Sequence, residues 1–327
     1  MKEFKEGEQV LYLSIKDVED TKLSMKEIID ALKVAFTEKG NGRFEMPPKI
    51  GIHTKKDAFI HAMPCWLPKY KACGIKWVSG YPENPKLGYQ YITGLLILNS
   101  TETGVPLSIM DCRWITAMRT GAVSGLAAEY LARPDSELLG ILGCGVQAKT
   151  NLEAILVTCP NIKKVLVFDI IPENAKKFAK EMGAKFNLEI IPVAKRKEAV
   201  VDSDIIVTAG ALVENRVIEA GWFKEGALAC PVDIDVMWKP EALQIADKYY
   251  VDDISQHKYF QELGYCKDVP KIYGDLGMLI TKKVKGREND SERIISLNIG
   301  LALDDIAVAH KVYDKALKND IGSILPL

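Results

Sequence analysis

The residues best suited to chemistry begin with a glycine turn. An apolar run, Leu138-Leu139-Gly140-Ile141-Leu142, leads into Gly143-Cys144-Gly145-Val146-Gln147-Ala148 and then a helical pattern. This is GxGxxA between strand and helix. Gly143 permits the tight turn, Gly145 lets the backbone approach a pyrophosphate, and Ala148 allows the helix to pack closely on the strand. The backbone N–H groups of Gly145, Val146 and Gln147 at the helix start suit an anion. A second apolar run, Val165–Phe168, ends at Asp169. An acid there can accept hydrogen bonds from the adenosine ribose hydroxyls, and its charge repels a 2′-phosphate. NAD is therefore favoured over NADP. A structural turn beside a solvated aspartate is the plainer alternative.

Lys76 lies in the apolar run Gly74-Ile75-Lys76-Trp77-Val78. Such a lysine either points to water or is held inward for a reason, and the pattern alone favours water. Held inward, its pKa shifts readily and it can pair with a carboxylate. Arg119 reads as preceding a long helix, 119–133, where its planar fork suits a carboxylate or a surface ion pair. Thr120 next to it either contacts a cofactor phosphate or caps that helix. Asp233 and Asp235 follow the run Ala227–Cys230, at the end of a strand where ligands of open parallel sheets gather.

The elements that must position these residues can also be read. Ser24 and Glu27 form a capping-box pattern before Ile28, Ile29, Leu32, Ala35 and Phe36, and Gly40 ends the helix. Residues 41–112 hold short apolar runs broken by Pro, Gly and Asn, which favours an antiparallel or mixed sheet. From Glu137 onward, strand-like runs alternate with helical stretches: 138–142, 165–168, 205–209, 227–230 and 294–299. That alternation implies an α/β fold with a doubly wound parallel sheet. Ile306, Ala309, Tyr313, Ala316 and Leu317 form one stripe of a closing helix. The expected division is 1–119 with 301–327 returning, and 120–300.

Composition narrows the function classes. Lys+Arg total 43 against 44 Asp+Glu, a net charge of −1, so no basic excess points to nucleic acid. Seven cysteines without a CxxC pair argue against a disulfide framework or a zinc site, and no metal is expected. The N-terminal stretch lacks a signal-peptide core and no apolar run is long enough to span a membrane, so a cytoplasmic location is expected.

Several segments together resemble the ornithine cyclodeaminase/mu-crystallin family, and within it most closely the archaeal alanine dehydrogenases. They are Met46-Pro47-Pro48-Lys49, Ala62-Met63-Pro64, the Lys76 run, Leu98–Gly104, Thr116–Ala122 with Arg119, the glycine turn, Gly286-Arg287, and Gly300-Leu301-Ala302 with Asp305. The resemblance implies a Rossmann domain for NAD and a second α+β domain for substrate binding and dimerisation, hence a homodimer. It implies oxidation of a small L-amino acid at its α-carbon, or reduction of an imine. It assigns Lys76 to the substrate carboxylate and proton transfer, Arg119 and Lys49 to the carboxylate, and Asp235 to proton transfer, with Asp233 as rival because the usual glycine-rich loop is absent here.

Thr208, Asn298 and Gly300 join the cofactor set on the same grounds, with a packing role equally open for the last two. His61 stands where ornithine cyclodeaminases carry a glutamate for the distal amine, and it cannot supply that fixed negative charge. That weighs against a second reading, cyclodeamination of ornithine with NAD used catalytically. A third, a non-catalytic binding protein, sits poorly with retention of Lys76, Arg119 and an aspartate near 235.

Overall fold

The computed structural model describes residues 4–210, 216–234 and 236–327. In chain order the strands are β1 (Gln9–Leu13), β2 (Ile50–Ile52), β3 (Phe59–Leu67), β4 (Ala72–Gly80), β5 (Ile92–Ser100), β6 (Pro106–Asp111), β7 (Leu138–Leu142), β8 (Lys164–Phe168), β9 (Glu189–Pro192), β10 (Ile205–Thr208), β11 (Leu228–Pro231), β12 (Lys248–Val251), β13 (Gly274–Asp275), β14 (Ile294–Leu297) and β15 (Ser323–Pro326). The helices are α1 (Ile15–Asp20), α2 (Met25–Gly40), α3 (Arg113–Leu131), α4 (Val146–Thr158), α5 (Pro172–Phe186), α6 (Pro240–Gln244), α7 (Ile254–Glu262), α8 (Leu276–Ile280) and α9 (Ala302–Asn319). The chain divides into two compact units, residues 1–119 with 301–327 and residues 120–300. No described helix is long and apolar enough to cross a membrane.

The first unit is built on a seven-stranded sheet in the order β15-β1-β6-β5-β4-β3-β2. Its pairs are antiparallel except β1 with β6. Helix α9 packs against β3, β4 and β5, and α2 packs on α9. Helix α2 starts where its sequence says: the Ser24 hydroxyl accepts from Glu27 N at 3.3 Å, and Glu27 accepts from Ser24 N at 2.9 Å. Ile28, Leu32, Ala35 and Phe36 then bury one helical stripe, each large side chain contributing about 1.5–3 kcal/mol.

The register of this sheet explains where Lys76 goes. Cross-strand partners form the row Met63, Lys76, Leu96, Met110, Leu13. Partners in register share a face, and the other four side chains are buried apolar groups. The alternation that buries them carries the lysine in with them. The opposite face holds the row Ile50, Ala62, Trp77, Leu95, of which Ile50, Trp77 and Leu95 are exposed.

The second unit carries eight parallel strands in the order β13-β12-β14-β11-β10-β7-β8-β9. From β7 the chain steps to β8 and β9 on one side, then returns to place β10 and β11 on the other. The carboxyl ends of β7 and β10 thus flank the point where strand order reverses, where ligands of such sheets bind. Arg287 closes α3 from within this unit, donating from Nε to the Leu131 carbonyl at 2.8 Å, the charge a helix carboxyl end favours.

The helix expected from Arg119 starts six residues earlier. The Asp111 carboxylate accepts from Arg113 N at 2.8 Å and so turns the chain into α3 at once. Arg119 and Thr120 are interior helical residues, which removes the helix-start reading of Arg119 and the capping reading of Thr120.

Candidate functional site

In the first unit, Lys76 and Arg119 converge on one carboxylate. Lys76 is only 1% exposed and its Nζ lies 2.6 Å from Asp305 Oδ2. Arg119 donates from Nε to Asp305 Oδ1 at 3.1 Å. Lys76 also donates to Thr116 Oγ1 at 3.5 Å. Asp305 comes from the first turn of α9, Lys76 from the middle of β4, and Thr116 and Arg119 from one face of α3, three residues apart. Burial pushes the Lys76 amine below the ordinary lysine value, the Asp305 charge opposes this, and Arg119 adds to it. The neighbouring Cys112 thiol is pushed up to about 11, chiefly by burial, and stays neutral.

His61 lies on the same face of β3 as Met63, two residues away. Its ring stacks on Phe59 with centroids 4.3 Å apart. Burial first, then the charges of Lys49, His53 and Lys76, hold its pKa down to about 3. It is therefore a neutral ring among cations. Lys49 directly precedes β2, whose Gly51 pairs with His61, so its charge reaches the same strand. The set can bind a carboxylate with two or three cations and offers a neutral, aromatic flank beside it.

In the second unit, Gly143 has φ +92, and a Cβ there would lie 2.6 Å from the Ala209 carbonyl oxygen and 2.8 Å from the Gly210 Cα. Only glycine fits. Gly145, which caps α4 without a side chain, differs: a Cβ there meets nothing within 4 Å. The turn thus presents bare backbone to open space at a helix N-terminus, the cradle a pyrophosphate requires. Val146 is exposed, whereas the Gln147 Oε1 is buried with no hydrogen-bond partner among the described residues.

Asp169, at the end of β8, accepts from Cys144 N and from Ile171 N, both at 2.9 Å. These bonds lock it beside the turn. The Cys144 thiol is pushed up to about 12, first by burial and then by Asp169, and is no nucleophile.

Thr208 is fully buried. Its hydroxyl donates to Asp233 Oδ1 at 2.6 Å and accepts from Trp238 Nε1 at 3.3 Å. Asp233 also accepts from Gly210 N at 3.3 Å. These bonds tie the loop after β11 to the end of β10, so the Thr208 hydroxyl positions that loop. Asp235 lies outside the described residues. Asn298 is buried and shares 3.3 and 3.4 Å hydrogen bonds with Ser296, and Gly300 N donates to Asp252 Oδ2 at 2.6 Å. None of the seven cysteines is bridged, and among the described residues no group of three or more His, Cys, Asp or Glu is placed to hold a metal ion.

The residue that sequence reasoning left without a role is Asp305. The signal was its place beside Asp304 at the start of an otherwise apolar helical stripe.

Comparison with known proteins agrees with this architecture. A family model described as ornithine cyclodeaminase/mu-crystallin matches residues 8–320. The chain is 35% identical over 326 residues to the alanine dehydrogenase of Archaeoglobus fulgidus, covering 96% of this chain and 98% of that one. Among solved structures it is similar to the Δ(1)-pyrroline-2-carboxylate reductase of Thermococcus litoralis in complex with NADH and L-proline, with a TM-score of 0.88, 37% identity and coverage of 96% and 99%. It is also similar to an archaeal alanine dehydrogenase dimer with bound NAD, with a TM-score of 0.87, 34% identity and coverage of 97% and 99%. The chain belongs to the ornithine cyclodeaminase/mu-crystallin family.

Proposed function

We propose that this protein is an NAD(H)-dependent oxidoreductase acting at the α-carbon of a small L-amino acid or of the corresponding imine. The observation that carries the reading is the buried pairing of Lys76 and Arg119 on one carboxylate. Lys76, in an otherwise apolar sheet face, and Arg119, from α3, are kept close together, an arrangement with no structural need, because apolar groups of the same size would be as stable or more so.

Arg119 and Lys76, with Lys49, bind the substrate carboxylate and hold the α-carbon in one place, which supplies the orientation such a reaction needs. Lys76, its amine pushed below the ordinary lysine value by burial, can give a proton to or take one from the nitrogen-bearing centre. Asp235, assigned on the family resemblance, takes the ammonium proton and activates water. The neutral His61 and Phe59 flank a small, uncharged side chain better than a second ammonium. Gly143, Gly145, Val146 and Gln147 would hold the pyrophosphate of NAD, and Asp169 the adenosine ribose. The bound dinucleotide supplies hydride acceptance and return.

The relatives fit this class: one is named an alanine dehydrogenase, another binds NADH and L-proline. We also assign a homodimer. The Ile50, Trp77, Leu95 row, with Trp66 at 43% and Trp77 at 48% exposure, is the uncovered apolar face that a symmetric partner would bury, and the archaeal relative is described as a dimer.

The test is a panel followed by NADH absorbance: L-alanine, L-proline and L-ornithine with NAD, and pyruvate with ammonia or cyclic imino acids with NADH. Turnover of one small amino or imino acid, lost in Asp235→Asn with NADH binding retained, is expected. Conversion of ornithine to proline without NADH accumulation would replace this reading by cyclodeamination.

A further inference from the structure

Asp305 and its neighbour Asp304 do different work. Asp304 Oδ2 accepts from Leu301 N at 3.0 Å and so starts α9, while Arg119 Nη1 lies a long 3.8 Å from it. Asp305 is fully buried and divides its two oxygens between Lys76 and Arg119. The groups facing Lys76 come from each element around it: Asp305 from α9, Thr116 and Arg119 from α3, the neutral Cys112 thiol before α3, and the neutral His61 from β3. Asp305 is the carboxylate among them.

We propose that Asp305 is a positioning residue that sets the separation of Lys76 and Arg119 and keeps Lys76 protonated while the site awaits a substrate carboxylate. For what Lys76 and Arg119 bind, the inference rests on the proposed function; the rest stands on the contacts of Asp305 and on the burial of Lys76 beside Arg119. Without Asp305, the buried Lys76 amine is left beside the Arg119 cation with no carboxylate of its own, while Arg119 keeps Asp304 at 3.8 Å. Lys76 then relieves the conflict by losing its proton, since burial and Arg119 both push it that way. With Asp305 in place, three N–H donors let Lys76 hold Asp305 and Thr116 and still donate to a third group. The substrate carboxylate fits as that third group, bridging to the Arg119 fork.

The experiment reads Lys76 directly by NMR of full-length protein carrying [ε-13C]lysine, with the signal assigned by Lys76→Met. The titration midpoint of Lys76 is expected to fall by ~1–3 pH units in Asp305→Asn, the usual effect of an adjacent opposite charge, and to recover in Asp305→Glu. Equal midpoints in wild type and Asp305→Asn overturn the inference. In turnover assays Asp305→Asn should raise KM for the amino acid and move the basic limb of the pH profile down by a similar amount, with NADH affinity unchanged. An unmoved limb with normal KM also refutes it. If Asp305→Asn does not fold, the double variant Lys76→Met/Asp305→Asn should fold, because the conflict is removed with the lysine; a double variant no more stable than the single one refutes charge pairing. Should the wild type turn over no amino or imino acid, the proposed function fails while the NMR comparison still decides the role of Asp305.

Discussion

The two glycines of the turn give a sharp pair of perturbations. Gly145→Ala places a methyl where nothing lies within 4 Å, at a backbone φ of −82 that any residue adopts. Folding should be unharmed, and lower unfolded-chain entropy favours the variant by about 0.4–1 kcal/mol. On the proposed function the methyl would occupy the space of a pyrophosphate, where overpacking costs about 1–3 kcal/mol, or roughly 5- to 150-fold in affinity. Gly143→Ala is the opposite case. Its methyl meets the Ala209 oxygen at 2.6 Å, at φ +92, so strain and overpacking of about 1–3 kcal/mol each fall on the protein itself. Calorimetric titration with NADH and thermal unfolding by circular dichroism separate the two. Expected are an unchanged or raised Tm with weakened NADH binding for Gly145→Ala, and a Tm lowered by several degrees for Gly143→Ala. A folded Gly145→Ala protein that binds NADH as tightly as wild type would show that no pyrophosphate lies on this turn.

Three more outcomes follow from the same structure. Lys76→Met should cut kcat/KM by about 10²- to 10³-fold, the scale of removing one partner of a buried charged contact, with NADH affinity intact; activity above a tenth of wild type in steady-state kinetics would end the case for this lysine. Asp233→Asn should lower Tm by weakening the ties to Thr208 and Gly210 N yet leave kcat of the folded fraction within tenfold, whereas Asp235→Asn abolishes turnover; the reverse ranking would make Asp233 the catalytic carboxylate. Burial holds His257 down to about 4, and burial with nearby cations holds His61 down to about 3. Between these values and about 6.5 the unfolded chain binds more protons than the native one, so stability is lost as pH falls from about 6.5. The slope approaches about 1.4 kcal/mol per pH unit for the fully buried His257 and is smaller for the partly exposed His61. His257→Phe should flatten the pH dependence of chemical denaturation midpoints; an unaltered curve would contradict it.

Residues with local signatures could be read directly. The capping box at Ser24 and Glu27, the glycine turn, and Asp169 at the next strand end are each decided by neighbours a few residues away. The start of α3 lies ahead of its helical pattern because its trigger, the Asp111 carboxylate on Arg113 N, sits among residues that read as strand. Four-residue β9 and β12 carry too little local pattern to read as strands. β12 opens with Lys248, a residue that argues against a buried strand until Glu288 and Glu292 are seen to pair with it at 2.9 Å each. The inward turn of Lys76 runs against its own sequence pattern. Register with Met63 and Leu96 decides it, and register is a property of the whole sheet. Asp305 was visible as part of a familiar motif and silent as to role, since its partners are brought to it only by the fold.

The discontinuity of the first unit has a consequence for biosynthesis. Arg119 and Asp305 are 186 positions apart, and the entire second unit is translated between them. On a ribosome working from the amino end, the parallel sheet can close while the first one still waits for α9 to cover it and for β15 to pair with β1. Until then Lys76 and Arg119 have no counter-ion from α9, and the apolar row beside them is open to water. The buried cluster of Lys76, Arg119 and Asp305 can be completed only after α9 has been made, and a nascent chain stalled before Asp305 would be one that chaperones should recognise.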